Sequence, residues 1–442
     1  MDDSTPKHII VNHTQVVRAL GDRAEAAVEE AAPEGGGPDW EAKLFAFRRG
    51  VAELRQRETA PDVLSTADHE AGALLQSFLA EYASQVEGGL RSLPGHDGGD
   101  PQPPGLAAGE EVALDGKDYA GWIKSFFTWW GKIVRHPWVP APAAPESLGD
   151  EVRVAVLGDW GSGLYGAPKC SESIAADAKG YGLLLHLGDV YYSGTPREVG
   201  TRFLRHWPRV LGATSRALNA NHEMYSGGYG YFDVLLNAIG QPSSVFALQN
   251  ASFLLVGLDT GYVEHDLAHG QEAWLSALIE AAGSRKVVLF SHHQPYSLFE
   301  HQGPVLQKKL GSLLAAKKIA AWYWGHEHRC VIYDRHPTWD VLGRCIGHGG
   351  YPYLRDDFGA VPLDATLPGG HAFRRVTPAL ARGAGKECPV AGRVLDGTNP
   401  YVIGHEQKYG PHGYVTLELS GPTLREILHA PDGTVLYEEQ IL

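Results

Sequence analysis

Four short stretches hold side chains of the types that bind cations: Gly158-Asp159-Trp160-Gly161, Gly188-Asp189-Val190-Tyr191-Tyr192, Asn221-His222-Glu223 and Gly325-His326-Glu327-His328. Carboxylate and amide oxygens together with imidazole nitrogens suit divalent and trivalent transition cations. Two cations held about 3.5 to 4 Å apart repel, so such centres place an anionic oxygen between them and other donors outside. Asp189 suits the bridging place, Asp159 supplies a terminal carboxylate, Asn221 an amide oxygen, and His326 and His328 two imidazoles. The i, i+2 spacing of the last pair fits an extended loop, where the intervening residue points away and each ring can address a different metal.

The elements that must position these residues are legible around them. Each stretch follows a short apolar run, which places its donors where a strand ends and a loop begins, the place where α/β sheets keep their ligands. Strands are expected at 152–157, 183–187, 217–218, 253–258, 287–290 and 319–324, and helices near 171–179, 197–207, 271–282 and 304–316. The tail alternates apolar and polar residues at 414–419, 424–429 and 435–440 around turns such as Pro431-Asp432-Gly433, which predicts strands closing a second sheet. An α/β sandwich follows, two sheets flanked by helices.

The first 145 residues read differently. Trp40, Leu44, Phe47, Val51 and Leu54 recur at helical spacing, as do Leu75, Phe78, Tyr82, Val86 and Leu90. Residues 94–105 are rich in glycine and proline and predict a loop. Tyr119, Trp122, Ile123, Phe126, Phe127, Trp130, Ile133 and Val134 then fall on one helical face, which we expect to dock on a neighbouring domain rather than on a membrane. Pro137, Pro140, Pro142 and Pro145 form a stiff linker, so the chain divides into a helical region at 1–145 and a catalytic domain at 150–442.

Bulk properties narrow the functional classes. A net charge of -14 argues against a surface that coats nucleic acid, since such surfaces need basic patches. No apolar stretch is long enough for a transmembrane segment. The acidic N-terminus lacks a signal-peptide core, which predicts a cytoplasmic protein unless a leader was removed. None of the four cysteines forms a CxxC pair, which disfavours a zinc ribbon and a disulfide scaffold. Cys330 and Cys345 flank an expected hairpin, where reduced thiols are the expectation.

The order of the stretches resembles the calcineurin-like metallophosphoesterase superfamily, whose pattern runs aspartate, Gly-Asp, Gly-Asn-His-Asp/Glu, a histidine, and Gly-His-x-His. The likeness covers about residues 150 to 350 and implies a metallophosphoesterase four-layer αββα sandwich behind the all-helical N-terminal region. Most of the superfamily has Asp-x-His in the first stretch, whereas this chain has Gly161 in the third place. Tyr192 stands three residues after Asp189, and Gly-Asp-x-x-Tyr after Gly-Asp-x-Gly is how purple acid phosphatases compensate, with the tyrosine as a phenolate on ferric iron. A hard anionic oxygen does suit Fe(III) better than imidazole.

The resemblance also implies roles. One metal, Fe(III), would take Asp159, Asp189, Tyr192 and His328; the other, Fe(II), Zn or Mn, would take Asp189, Asn221, His292 and His326. His301, nine residues after His292, matches the second histidine of the family, which contacts substrate phosphate. His293-Gln294-Pro295 also fits the family's His-x-Pro, so His293 stays an alternative to His292. The catalytic residues would be His222 and His301, protonating the leaving group or binding phosphate beside a metal-bound hydroxide that attacks phosphorus. Glu223 could orient His222, and His348 reads as structural. Ala220 replaces the usual glycine before Asn221, which raises the expectation of an altered turn. A phosphomonoesterase acting on a small phosphate ester leads, with a phosphodiesterase for nucleotides or lipid headgroups and a non-catalytic metal-binding interaction protein as alternatives.

Overall fold

The computed structural model describes residues 41–49, 63–67, 69–88, 126–127 and 130–442. The expected loop at 94–105, the aromatic helix before Phe126, and Trp40, Val51, Leu54 and Leu90 lie outside these residues.

Two sheets carry residues 146–442. The smaller runs, edge to edge, Val435–Gln440, Thr423–His429, Tyr414–Ser420, Glu151–Leu157, Leu183–His186 and Thr214–Ala217. The larger runs Glu146–Ser147, Phe246–Gln249, Phe253–Gly257, Lys286–Ser291, Ala321–Trp324, Leu342–Ile346, Cys330–Arg335, Gly392–Asp396, Ala372–Val376 and Leu363–Thr366. Three strands of the smaller sheet, from Glu151–Leu157 to Thr214–Ala217, are parallel. So are four of the larger, from Phe253–Gly257 to Leu342–Ile346. The tail strands do not stand apart: Tyr414–Ser420 pairs antiparallel with Glu151–Leu157 and extends the sheet that holds Asp159.

Side-chain alternation builds the layers. Phe253 and Leu255 face the smaller sheet and share one core with Val154, Val156, Leu183 and Leu185. Leu254 and Val256 point the other way, onto Leu275, Leu278 and Ile279 of the helix Gln271–Ala281. On the far side of the smaller sheet, Ala155 and Leu184 pack on Cys170 and Ile174 of the helix Gly166–Ala176 and on Phe203 and Trp207. The order is helix, sheet, sheet, helix, and each fully buried Leu, Val or Phe in it contributes about 1.5 to 3 kcal/mol. One ion pair is buried between the sheets. Arg344 Nε donates to Glu426 Oε1 at 2.8 Å and Tyr323 donates to Glu426 Oε2 at 2.6 Å, with Arg344 Nη1 bonded to the Tyr333 and Gly343 carbonyls.

Local differences from the expected elements have local causes. The first helix starts at Gly166 rather than near 171 because Leu164 O accepts the Ala167 N–H and opens the turn earlier. The expected helix at 197–207 begins at Pro196 on a capping box, Thr195 with Glu198, then widens into a π-helical turn at Val199–Leu204. Cys330–Arg335 and Leu342–Ile346 do form a hairpin, but Cys330 lies opposite Ile346 and Cys345 opposite Val331, and all four cysteines are free and buried.

The described N-terminal residues pack on this framework. The helix Glu70–Gly88 matches the second apolar period, and residues 41–49 are helical. Phe47, Phe78, Phe126, Phe127 and Trp130 stack on one another, and Trp130 Nε1 donates to Glu70. Residues 63–67 form neither helix nor strand and are seated on the two-sheet framework: Leu64 packs with Tyr191, Tyr192 and Tyr351, its N–H donates to Tyr165 Oη at 2.7 Å, and the Thr66 N–H to Tyr351 Oη at 2.9 Å. Among the described residues no helix is long and apolar enough to cross a membrane.

Candidate metal centre

The parallel strands end where the chemistry begins. Asp159 follows Glu151–Leu157, Asp189 follows Leu183–His186, Asn221 follows Thr214–Ala217, His292 and His293 follow Lys286–Ser291, and His326 follows Ala321–Trp324. Asp159, Asp189, His326 and His328 all have left-handed backbones, with φ of 54°, 78°, 68° and 54°. Such conformations cost a non-glycine residue energy and persist where the surroundings over-determine them, as at functional sites. The bend lets each side chain turn back over its strand end.

Asp159, Asp189 and His328 converge, with His328 Nε2 at 3.4 Å from Asp159 Oδ1 and 3.9 Å from Asp189 Oδ2. The phenol among them belongs to Tyr191. Its hydroxyl donates to Asp189 Oδ2 at 3.0 Å and Asp159 Oδ1 at 3.2 Å, and lies 3.1 Å from His328 Nε2. This corrects the expectation for Tyr192, whose ring instead stacks against the Arg202 guanidinium at 4.7 Å. The cause is the Glu198 carboxylate, which accepts the Tyr192, Ser193 and Thr195 N–H groups at 2.7, 3.1 and 3.1 Å and turns that ring away from Asp159. Gly161 fits the same arrangement: a Cβ there would meet the Asp189 carbonyl at 2.3 Å, so a side chain has no room where the superfamily carries its imidazole.

A second group shares Asp189. His292 Nε2 lies 3.3 Å from Asp189 Oδ1, 3.1 Å from Asn221 Oδ1 and 3.3 Å from His326 Nδ1. His292 Nδ1 donates to the Leu187 carbonyl at 2.9 Å, which turns Nε2 inward as a lone-pair donor. The Asn221 amide is oriented likewise, Nδ2 donating to Tyr225 Oη at 2.8 Å. Ala220 needs no glycine, because its φ of -136° and ψ of 175° are ordinary extended backbone. Glu327 points away from its two neighbours and is held by Ser297 and Trp324 at 2.6 and 2.9 Å.

His222 Nδ1 donates to the Tyr192 carbonyl at 2.5 Å, leaving Nε2 3.9 Å from Asp189 Oδ2. Tyr192 thus serves the centre through its backbone. Among the described residues Glu223 makes no hydrogen bond to His222; burial, then Asp189, push its carboxyl well above the usual range. His301 is not brought into the buried set: it is exposed and held through its carbonyl by Gln294 Nε2 at 3.0 Å. His293 faces another way, with Nδ1 on Thr260 Oγ1 at 3.0 Å. His265 joins the imidazoles on that side without any sequence motif to announce it.

The donor chemistry fits a pair of cations. Asp189 Oδ1, Asn221 Oδ1, His292 Nε2 and His326 Nδ1 present lone pairs to one another, and Asp189 Oδ1 is buried with no hydrogen-bond partner among the described residues. Burial lowers His292, His326 and His328, the last to about 4, so these rings are unprotonated at neutral pH. Burial, then the Asp189 charge, push Asp159 well above the carboxylate range. Burial would raise Asp189 too, but His292, His222 and His328 hold it well below. Opposed carboxylates and inward lone pairs at this depth are what a cation resolves.

Residues 152–330 match the family model described as calcineurin-like phosphoesterase. The chain is 26% identical over 309 residues to "Tartrate-resistant acid phosphatase type 5" of Oryctolagus cuniculus, covering 57% of this chain and 91% of that protein. It is 27% identical over 285 residues to the Sus scrofa protein of the same name, 51% and 81% covered. Among solved structures, purple acid phosphatase PPD1 of Lupinus luteus superposes with a TM-score of 0.45 at 13% identity over 68% of this chain and 55% of that one. Residues 152–330 are thus similar to the calcineurin-like phosphoesterases, and the chain is similar to acid phosphatases of the purple, tartrate-resistant kind.

Proposed function

We propose that this chain is a dinuclear-metal phosphomonoesterase of the purple acid phosphatase type. The observation that carries the reading is the Tyr191 hydroxyl, buried within 3.2 Å of Asp159, Asp189 and His328, where the superfamily otherwise uses an imidazole. Asp159, Asp189, Tyr191 and His328 would hold Fe(III), which favours hard anionic oxygens, and Asp189, Asn221, His292 and His326 would hold Fe(II), Zn or Mn. When bound, such a pair supplies Lewis acidity toward phosphoryl oxygens and an acidified water as nucleophile.

The chain's own residues do the rest. Asp189 fixes the two donor groups to each other. Leu187 and Tyr225 aim His292 and Asn221, so the donors need little reorganisation on binding. His222, with Nδ1 committed to the Tyr192 carbonyl, keeps Nε2 available to hold the proton delivered to the leaving alkoxide. A small phosphate ester is the substrate class. We also retain the division into 1–145 and 150–442, and a cytoplasmic setting, for which four buried free thiols speak.

The test is turnover of a chromogenic phosphomonoester against the matching diester by purified protein. We expect the monoester to be preferred, His222→Ala to lose turnover while keeping its metal, and Asp189→Ala to lose both. A preference for the diester would move the assignment to a phosphodiesterase, and unchanged turnover in Asp189→Ala would remove that residue from the centre.

A further inference from the structure

Beside the centre lies a group of three imidazoles, two of which the proposed chemistry does not use. His265, His293 and His326 each offer a ring nitrogen, and these three atoms lie within 4.8 Å of one another. The ring centroids are 4.0 Å apart for His265 and His293, 4.6 Å for His293 and His326, and 5.4 Å for His265 and His326.

One residue ties two members of the group together. Thr260 Oγ1 accepts the His293 N–H at 3.0 Å and engages His293 Nδ1 at 3.0 Å, while the Thr260 carbonyl accepts the His265 N–H at 3.0 Å. His293 is fully buried, and with Nδ1 occupied its Nε2 has no hydrogen-bond partner among the described residues. An unpaired buried nitrogen costs about 1 to 3 kcal/mol unless something binds it. His265 stands at φ 58°, a left-handed backbone held by that carbonyl, and is half-buried, which leaves a path in from solvent.

We propose that His265, His293 and His326 form a third metal position, abutting the proposed pair and sharing His326 with it as an imidazolate, one ring nitrogen to each side and its N–H proton released to solvent. An all-imidazole set selects a borderline divalent cation, zinc above all, and not the hard trivalent ion suited to Asp159 and Tyr191. Nitrogens at about 2.0 to 2.1 Å from zinc stand roughly 3.3 Å apart in a tetrahedron, so the rings need to close by at most about 1.5 Å. Three protein nitrogens leave one coordination position open. The site depends on the dinuclear reading only in being the third.

Zinc per chain decides it. Full-length protein is stripped with a chelator, exposed to Zn2+ alone, dialysed and analysed for zinc as wild type, His265→Gly, Asp189→Ala and the double variant. Glycine accepts the left-handed backbone at 265 and carries no ligand atom. We expect His265→Gly to hold one equivalent fewer than wild type, and the double variant one fewer than Asp189→Ala. Zinc on surface histidines cancels in both comparisons. Equal zinc in His265→Gly and wild type would overturn the site; should His265→Gly fail to fold, His265→Ala, which likewise carries no ligand atom, makes the same comparison. Equal zinc in Asp189→Ala and wild type would sink the pair instead, while the deficit caused by His265→Gly would still stand.

Discussion

Replacing Tyr191 by phenylalanine separates the structure from the spacing rule that favours Tyr192. In the metal-free protein the Tyr191 phenol is protonated, since burial and then the Asp189 and Asp159 charges push its pKa well above that of free tyrosine. It donates to a carboxylate oxygen of each at 3.0 and 3.2 Å, and a hydrogen bond to a charged acceptor is worth about 1.5 to 3 kcal/mol. Tyr191→Phe should lower stability of the metal-free protein by about that amount. Loaded with iron it should lose a ligand, and since even an outer partner is worth 10 to 100-fold, we expect retention of the trivalent ion to weaken by at least about 100-fold. Tyr192→Phe keeps the ring that stacks on Arg202, and its contribution to His222 is a carbonyl that the substitution leaves alone. The assay is a visible spectrum with iron analysis on the same sample. A violet phenolate-to-iron band should be present in wild type and Tyr192→Phe and absent in Tyr191→Phe. A band that survives Tyr191→Phe, or disappears in Tyr192→Phe, refutes the reasoning.

Three further outcomes follow from the packing. Glu426→Leu strands the buried Arg344 guanidinium between the sheets and should cost about 3 to 5 kcal/mol by denaturant unfolding; a change below about 1 kcal/mol would mean that the pair is solvated. Leu64→Ala opens a cavity over Tyr191, Tyr192 and Tyr351 and should cost about 2 to 5 kcal/mol, whereas a neutral result would show that residues 63–67 do not hold to the two-sheet framework. Burial lowers His186 and His348 to about 3 in the folded protein. The unfolded chain protonates both near 6.5, so it binds more protons below that pH. Stability is therefore full above about 6.5 and falls toward pH 3, by up to about 1.4 kcal/mol per pH unit for each ring. Unfolding midpoints at pH 7, 6 and 5 should show this slope, and His186→Phe should reduce it by up to about 1.4 kcal/mol per pH unit; an unchanged slope would mean that His186 titrates in the folded state.

Much of the framework was legible because it depends on local pattern. Short apolar runs predicted the strands whose ends carry Asp159, Asp189, Asn221 and His326, and alternation predicted the tail strands. Their partner was not legible: nothing within 414–420 says that it will pair with 151–157, since the partner is chosen by the face left open in three dimensions. Residues 63–67 show no period, so their seat on Tyr165 and Tyr351 could not be read from spacing.

The tyrosine shows where the limit falls. Gly-Asp-x-x-Tyr names a spacing, and spacing determines which side chain turns inward only if the backbone between follows a fixed course. Here that course is set by Glu198, whose carboxylate gathers the Tyr192, Ser193 and Thr195 N–H groups and receives the Ser77 hydroxyl from the N-terminal helix. The signal was present as a capping box, Thr195 to Glu198, but it reads as a helix start rather than as the residue that decides between two adjacent phenols. His265 lies further out of reach, because its meeting with His293 depends on one threonine that bonds the His293 ring and the His265 backbone. Donor types at strand ends therefore follow from sequence, whereas the choice among neighbouring donors follows from backbone hydrogen bonds made to residues elsewhere in the chain.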